Sequence, residues 1–107
     1  MMTTISTPNA PAAIGPYSQA KVVNGMVFAS GQIPIVPATG EIAEGDITVQ
    51  AEQVMKNVGE ILKAANCGYE DVVKTTCFLA EMADFGAFNA VYEKYFTGKP
   101  ARSCVAV

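Results

Sequence analysis

Past residue 46 the hydrophobic pattern switches repeatedly between two periods, and this alternation restricts the fold more than any single motif. Asp46 stands where a helix cap would stand. Ile47, Ala51, Val54, Val58, Ile61 and Ala65 follow it at steps of four, three, four, three and four, with Met55 and Leu62 widening the stripe. Gly68 is the expected left-handed terminator. Val72 to Leu79 (VVKTTCFL) is β-branched and reads as a strand. Asp84 is the expected cap of a second helix carrying Phe85, Phe88, Val91, Tyr92, Tyr95 and Phe96, which Gly98 and Pro100 end. Arg102 to Val107 then reads as a last strand.

Upstream, Asn24-Gly25 lies between two apolar runs, the strongest short signal for a two-residue type I′ hairpin, with strands expected at Ser18 to Val23 and Met26 to Ser30. Pro8, Pro11 and Pro16 make residues 1–16 an extended arm with at most a short edge strand near Thr3 to Ser6. Pro34, Pro37, Gly40 and Gly45 make Gln32 to Gly45 a loop. The order hairpin, helix, strand, helix, strand predicts one α+β domain over residues 1–107. Right-handed crossovers would pack both helices on one face of a mixed sheet. The other sheet face is mostly apolar or small at both strand parities, so it should meet another subunit. Composition agrees. The chain is 50% hydrophobic and only 16% charged, yet a domain of this size buries only about two thirds of its unfolded surface. A closed homo-oligomer follows as the expectation.

The 107 residues include no His, six Lys and a single arginine, Arg102. Nucleophilic catalysis that relies on an imidazole base is thereby excluded. Cys67, Cys77 and Cys104 lack zinc-ligand pairing, so no metal site is expected, and three unpatterned thiols suit a reducing, cytoplasmic setting. A net charge of -3 with dispersed lysines makes nucleic acid a poor partner. No apolar run is long enough to span a membrane. The opening MMTTISTPNAP has no signal-peptide pattern.

Four segments carry a resemblance: Ala10-Pro11-Ala12-Ala13-Ile14-Gly15-Pro16-Tyr17-Ser18-Gln19, Ala29-Ser30-Gly31-Gln32-Ile33-Pro34, Asp71-Val72-Val73-Lys74-Thr75-Thr76-Cys77 and Pro100-Ala101-Arg102-Ser103-Cys104-Val105. In this order they resemble the RidA (YjgF) family of reactive intermediate, or imine, deaminases, and the likeness spans essentially the whole chain. It implies a chorismate-mutase-like fold, a barrel-like homotrimer with ligand clefts between subunits, and hydrolysis of 2-imino acids or their enamine tautomers to 2-keto acids and ammonia. No metal or organic cofactor is implied. Members similar to this chain continue for roughly one more strand, which brings a Glu thought to position or activate water. Val105-Ala106-Val107 reads as mid-sheet, so the C-terminal strand is expected to be missing here.

Arg102 is the first candidate, because its planar fork holds a carboxylate through two parallel charge-assisted hydrogen bonds. The alternative for a lone Arg is a surface salt bridge. Tyr17, after Gly15-Pro16, is either an interface aromatic or, by the resemblance, a ring that shapes the pocket and orients substrate. Ser30 and Gly31 end a strand where a hydroxyl and open backbone could approach ligand, or simply make a turn. Cys104, two residues from Arg102 on the same strand face, reads as pocket lining or as a small buried hydrophobe. Asn89 bonds substrate or backbone, or is merely solvated. Phe88, Val91, Tyr95 and Phe96 are assigned to the core, and Cys67 and Cys77 to ordinary packing. Water adding to an imine held by its carboxylate is the mechanism these residues suit, with 2-iminobutanoate and 2-iminopropanoate as substrates. A non-catalytic trimer binding small carboxylates such as 2-keto acids is the alternative. A ribonuclease or translation inhibitor is disfavoured by charge.

Overall fold

The computed structural model describes residues 1–107. Strands β1 (Met2–Ile5), β2 (Ala20–Val23) and β3 (Met26–Ala29) form an antiparallel sheet in that order. Asn24 and Gly25 both have positive φ, 51° and 74°, as a type I′ turn requires. The arm's edge strand is therefore β1, paired from Met2 with Val23 to Ile5 with Ala20. Residues 32–45, expected to be loop alone, contain a second hairpin of two very short strands, β4 (Ile35–Val36) and β5 (Glu41–Ile42). Two residues give no readable period, and the prolines hid them.

Helix α1 (Ile47–Ala64) starts at Asp46, whose side chain accepts from the Val49 amide at 3.1 Å. It ends earlier than Gly68. Asn66 takes the left-handed conformation at φ 61°, a role its short polar side chain tolerates, while Gly68 is extended. Strand β6 (Lys74–Leu79) and strand β7 (Ala101–Ala106) pair in parallel across helix α2 (Phe85–Tyr95). Asp84 makes no side-chain cap, because a 3-10 turn over Met82–Asp84 runs directly into α2.

The expected single mixed sheet is corrected. The strands fall into three separate hydrogen-bonded sheets, since no strand of the chain pairs with both β1–β3 and β6–β7. The helices share one core all the same. Ala51 and Met55 of α1, Leu79 of β6, and Phe88, Val91, Tyr92 and Phe96 around α2 make the larger cluster, with Cys77 and Cys104 against it. Ile61 of α1 packs with Ala10 and Ala20 in a smaller one. Tyr95 is only partly buried and packs at the edge of the larger cluster. Only 13 of 107 residues are buried, and the faces of β3, β6 and β7 away from the helices expose Phe28 (58%), Phe78 (65%) and Val105 (44%).

Candidate functional site

Phe85, Asn89 and Tyr92 recur at i, i+4 and i+7, which aligns them on one face of α2. Arg102, the second residue of β7, meets that stripe. Its Nη1 donates to Asn89 Oδ1 at 2.6 Å, and its guanidinium carbon lies 4.6 Å from the Tyr92 ring centroid and 5.3 Å from that of Phe85. Both distances are within cation–π range. Tyr92 is itself fixed, its hydroxyl 2.7 Å from Thr75 Oγ1. Thr75 is the register partner of Arg102 across the parallel ladder. The plane of the guanidinium is thus set by two rings and one amide.

The guanidinium is otherwise uncommitted. The one salt bridge of the chain joins Lys94 to Glu52, so Arg102 has no carboxylate partner. A cleft of about 390 Å³ opens beside it, lined by Asn89, Tyr92, Glu93, Phe96, Lys99, Pro100 and Arg102. Lys99, held at φ 53°, adds a second positive charge to the rim. Such a concavity is suited to a small carboxylate with its apolar tail towards Phe96.

The other sequence candidates lie elsewhere in the chain. Tyr17 is 53% exposed and lines a separate cleft of about 440 Å³ with residues of the arm, among them Thr4, Thr7 and Gln19. Its amide donates to Gly15 O at 2.8 Å, and a side chain at Gly15 would press on the Tyr17 ring at 3.3 Å, so the glycine permits this turn. Ser30 Oγ donates to Ser18 O at 2.7 Å. Gly31 is exposed, with open space where a Cβ would stand. Cys104 shares the helix-facing side of β7 with Arg102 and packs, partly buried, against the core. Within one chain, then, Arg102 and Asn89 come together, while Tyr17, Ser30 and Gly31 do not line their cleft.

Sequence reasoning did not single out Tyr92 and Lys99 as cleft residues or Phe85 as a ring against Arg102, and it assigned Phe96, which lines the cleft, to the core alone. The available signal was the polar Asn89 inside the aromatic stripe of α2. It also missed Asn57, a polar residue 1% exposed in the middle of α1. Asn57 Nδ2 donates to Ile33 O and Ile35 O at 3.1 and 2.9 Å, and its Oδ1 accepts from Gln53 Nε2 at 2.9 Å. It ties the segment after Gly31 to the helix.

A family model described as Endoribonuclease L-PSP matches residues 7–107. The 2-iminobutanoate/2-iminopropanoate deaminase of Salmonella typhimurium is 50% identical, with the match covering 100% of this chain and 86% of that one. The mouse protein of the same name is 51% identical over 96% of this chain and 77% of its own length. Among solved structures, Escherichia coli TdcF with bound serine superposes with a TM-score of 0.92 at 43% identity, covering 98% of this chain and 85% of that one.

Proposed function

Since the chain belongs to the L-PSP endoribonuclease family, the RidA/YjgF proteins, we propose that it deaminates 2-imino acids and their enamine tautomers by hydrolysis. The products are 2-keto acids and ammonia, with 2-iminobutanoate and 2-iminopropanoate as substrates. The observation that carries this reading is a lone guanidinium, oriented by Asn89, Tyr92 and Phe85, with no carboxylate of its own. A 2-imino acid supplies that carboxylate next to its reacting carbon. The serine bound to E. coli TdcF also carries a carboxylate beside a nitrogen-bearing carbon.

Arg102 binds the carboxylate through paired charge-assisted hydrogen bonds worth about 1.5 to 3 kcal/mol each. That fixes the C=N group against the cleft wall. Water adds to the iminium carbon to give a carbinolamine. The nitrogen takes up a proton and leaves as ammonia, the hydroxyl gives up its own, and the C=O of the keto acid forms. An iminium carbon is already electrophilic, so holding substrate and water in register supplies much of the rate. None of residues 96–107 is a carboxylate, and these residues bind and orient.

The same proposal includes a cytosolic homotrimer. Tyr17, Ser30 and Gly31 of one subunit would then complete the Arg102 cleft of the next, and the exposed apolar sheet faces would be covered. Cys104 would lie beneath the site as lining. The family's name points also to RNA, but a chain of net charge -3 without His offers neither a phosphate track nor an imidazole pair. The test couples the purified full-length protein to a threonine dehydratase and follows ammonia and 2-ketobutyrate. Faster release with the wild type, lost in Arg102→Ala, is the expected outcome. No acceleration, with 2-ketobutyrate binding retained, would replace the enzyme by a carboxylate-binding protein.

A further inference from the structure

Parallel pairing of β6 and β7 places Thr75 opposite Arg102 and Cys77 opposite Cys104. All four side chains are on the helix-facing side and partly buried, whereas the intervening Lys74, Thr76, Phe78, Ser103 and Val105 are exposed. Two thiols thus stand on one rung, next along the face from the arginine rung. Cys67 is separate, its Sγ donating to Leu62 O at the end of α1. We propose that Cys77 and Cys104 form a reversible intrachain disulfide when the protein meets a hydroperoxide, and that this cross-link loosens carboxylate binding at Arg102. The second part rests on the deaminase reading above.

The geometry suits a bond that forms under strain. Neighbouring strands lie about 4.8 Å apart, inside the Cα window of about 4.4 to 6.8 Å that disulfides occupy. Their Cβ atoms must approach to about 3.8 Å, so the rung has to tighten by up to ~1 Å. A strained disulfide is readily reduced again. Tightening at Cys104 displaces β7 two residues from Arg102, and so moves the guanidinium relative to Asn89 and the rings that orient it.

Burial pushes the Cys77 thiol up, which suits it to the resolving role rather than the attacking one. The Cys104 thiol gives its proton to solvent, its thiolate attacks the hydroperoxide oxygen, the O–O bond breaks, and the departing hydroxide takes a proton back from solvent, so that one water leaves with a sulfenic acid on Cys104. The Cys77 sulfur then attacks that sulfur, its thiol proton joins the departing hydroxyl, and a second water leaves. Two thiols are oxidised to one disulfide, and one hydrogen peroxide is reduced to two waters.

The experiment exposes the reduced full-length protein to hydrogen peroxide, blocks remaining thiols and maps non-reduced peptides by mass. A peptide pair joining Cys77 to Cys104, lighter by two hydrogens and released by dithiothreitol, is expected in the wild type and absent from Cys77→Ser and Cys77→Val. Sulfinic acid on Cys104 without a cross-link, or a cross-link through Cys67, would overturn the site. In the coupled assay the oxidised wild type should show KM raised about tenfold and restored by dithiothreitol, since misplacement by ~1 Å costs up to about a hundredfold. A formed cross-link with KM unaltered would overturn the effect on Arg102. Absent deamination in the reduced protein would instead remove the enzymatic reading and leave the mapped disulfide standing.

Discussion

Arg102 combines two properties seldom found together in a partly buried arginine: rings and an amide fix its plane, and no acid neutralises it. A lysine at this position keeps the charge but has no fork and no planar surface to lie against Tyr92. Arg102→Lys should therefore raise KM in the coupled ammonia assay by about ten- to a hundredfold, the equivalent of one lost charge-assisted hydrogen bond. Thermal unfolding should move little. Wild-type KM in that variant would mean that point charge, not bidentate geometry, holds the substrate. Arg102 stands out in the sequence as the single arginine, after Pro100 at a strand start. Its supports do not, since Phe85 and Tyr92 obey the same period as buried residues, and only tertiary packing sets them under a cation rather than under a leucine.

At the level of elements, α1 and α2 are held together by more than their apolar stripes. Glu52 of α1 accepts from both Lys94 Nζ and the Tyr95 hydroxyl of α2. The hydrogen bond that Tyr95 donates to Glu52, then burial and the repulsion its phenolate would meet from that carboxylate, push its pKa from 10.0 to about 12, while the hydrogen bonds from Lys94 and then Tyr95 hold Glu52 below its ordinary 4.5. The signs differ. Tyr95 is raised, so its contribution is intact below pH 10 and is lost as pH climbs through about 12; Glu52 is lowered, so its contribution is intact above pH 4.5 and is lost as pH falls through the depressed value. Melting curves of wild type and Tyr95→Phe should therefore be separated at neutral pH and converge towards pH 12. Curves that coincide at neutral pH would show that the contact adds nothing, and a separation unchanged up to pH 12 would show that its ionisation is not the cause. Asn57 makes a second tie, and Asn57→Ala, which strips two carbonyls of their donors, should cost about 2 to 4 kcal/mol in urea unfolding. Periodicity revealed both helices and the Asn24-Gly25 turn because these signals are local. It mistook the helix stop, where Asn66 rather than Gly68 turns left-handed, and passed over β4 and β5, whose two residues each are too few to show a period and whose Ile35 carbonyl is held by Asn57 from α1.

For the whole molecule, the sequence-level surplus of apolar residues has a location. The helices cover one side of the strands, and Phe28, Phe78 and Val105 stand exposed on β3, β6 and β7 away from them. Scattered apolar residues on a surface need no explanation, but large ones on the sides of the strands that the helices leave uncovered mark an interface. Each phenylalanine covered there contributes about 1.5 to 3 kcal/mol, repeated in every subunit of a closed ring. A charge at the centre of that face should reverse the balance without touching the core, because Phe78 alternates with Cys77 and Leu79, which point the other way. Phe78→Lys is therefore expected to sediment as a folded monomer at concentrations where the wild type is expected to assemble into the proposed trimer, with helical circular dichroism preserved. If Tyr17, Ser30 and Gly31 reach the Arg102 cleft only from an adjacent subunit, the same variant should lose deamination together with assembly. A monomer that retained full activity would place the whole site within one chain, and a wild type already monomeric would leave the apolar face to another partner.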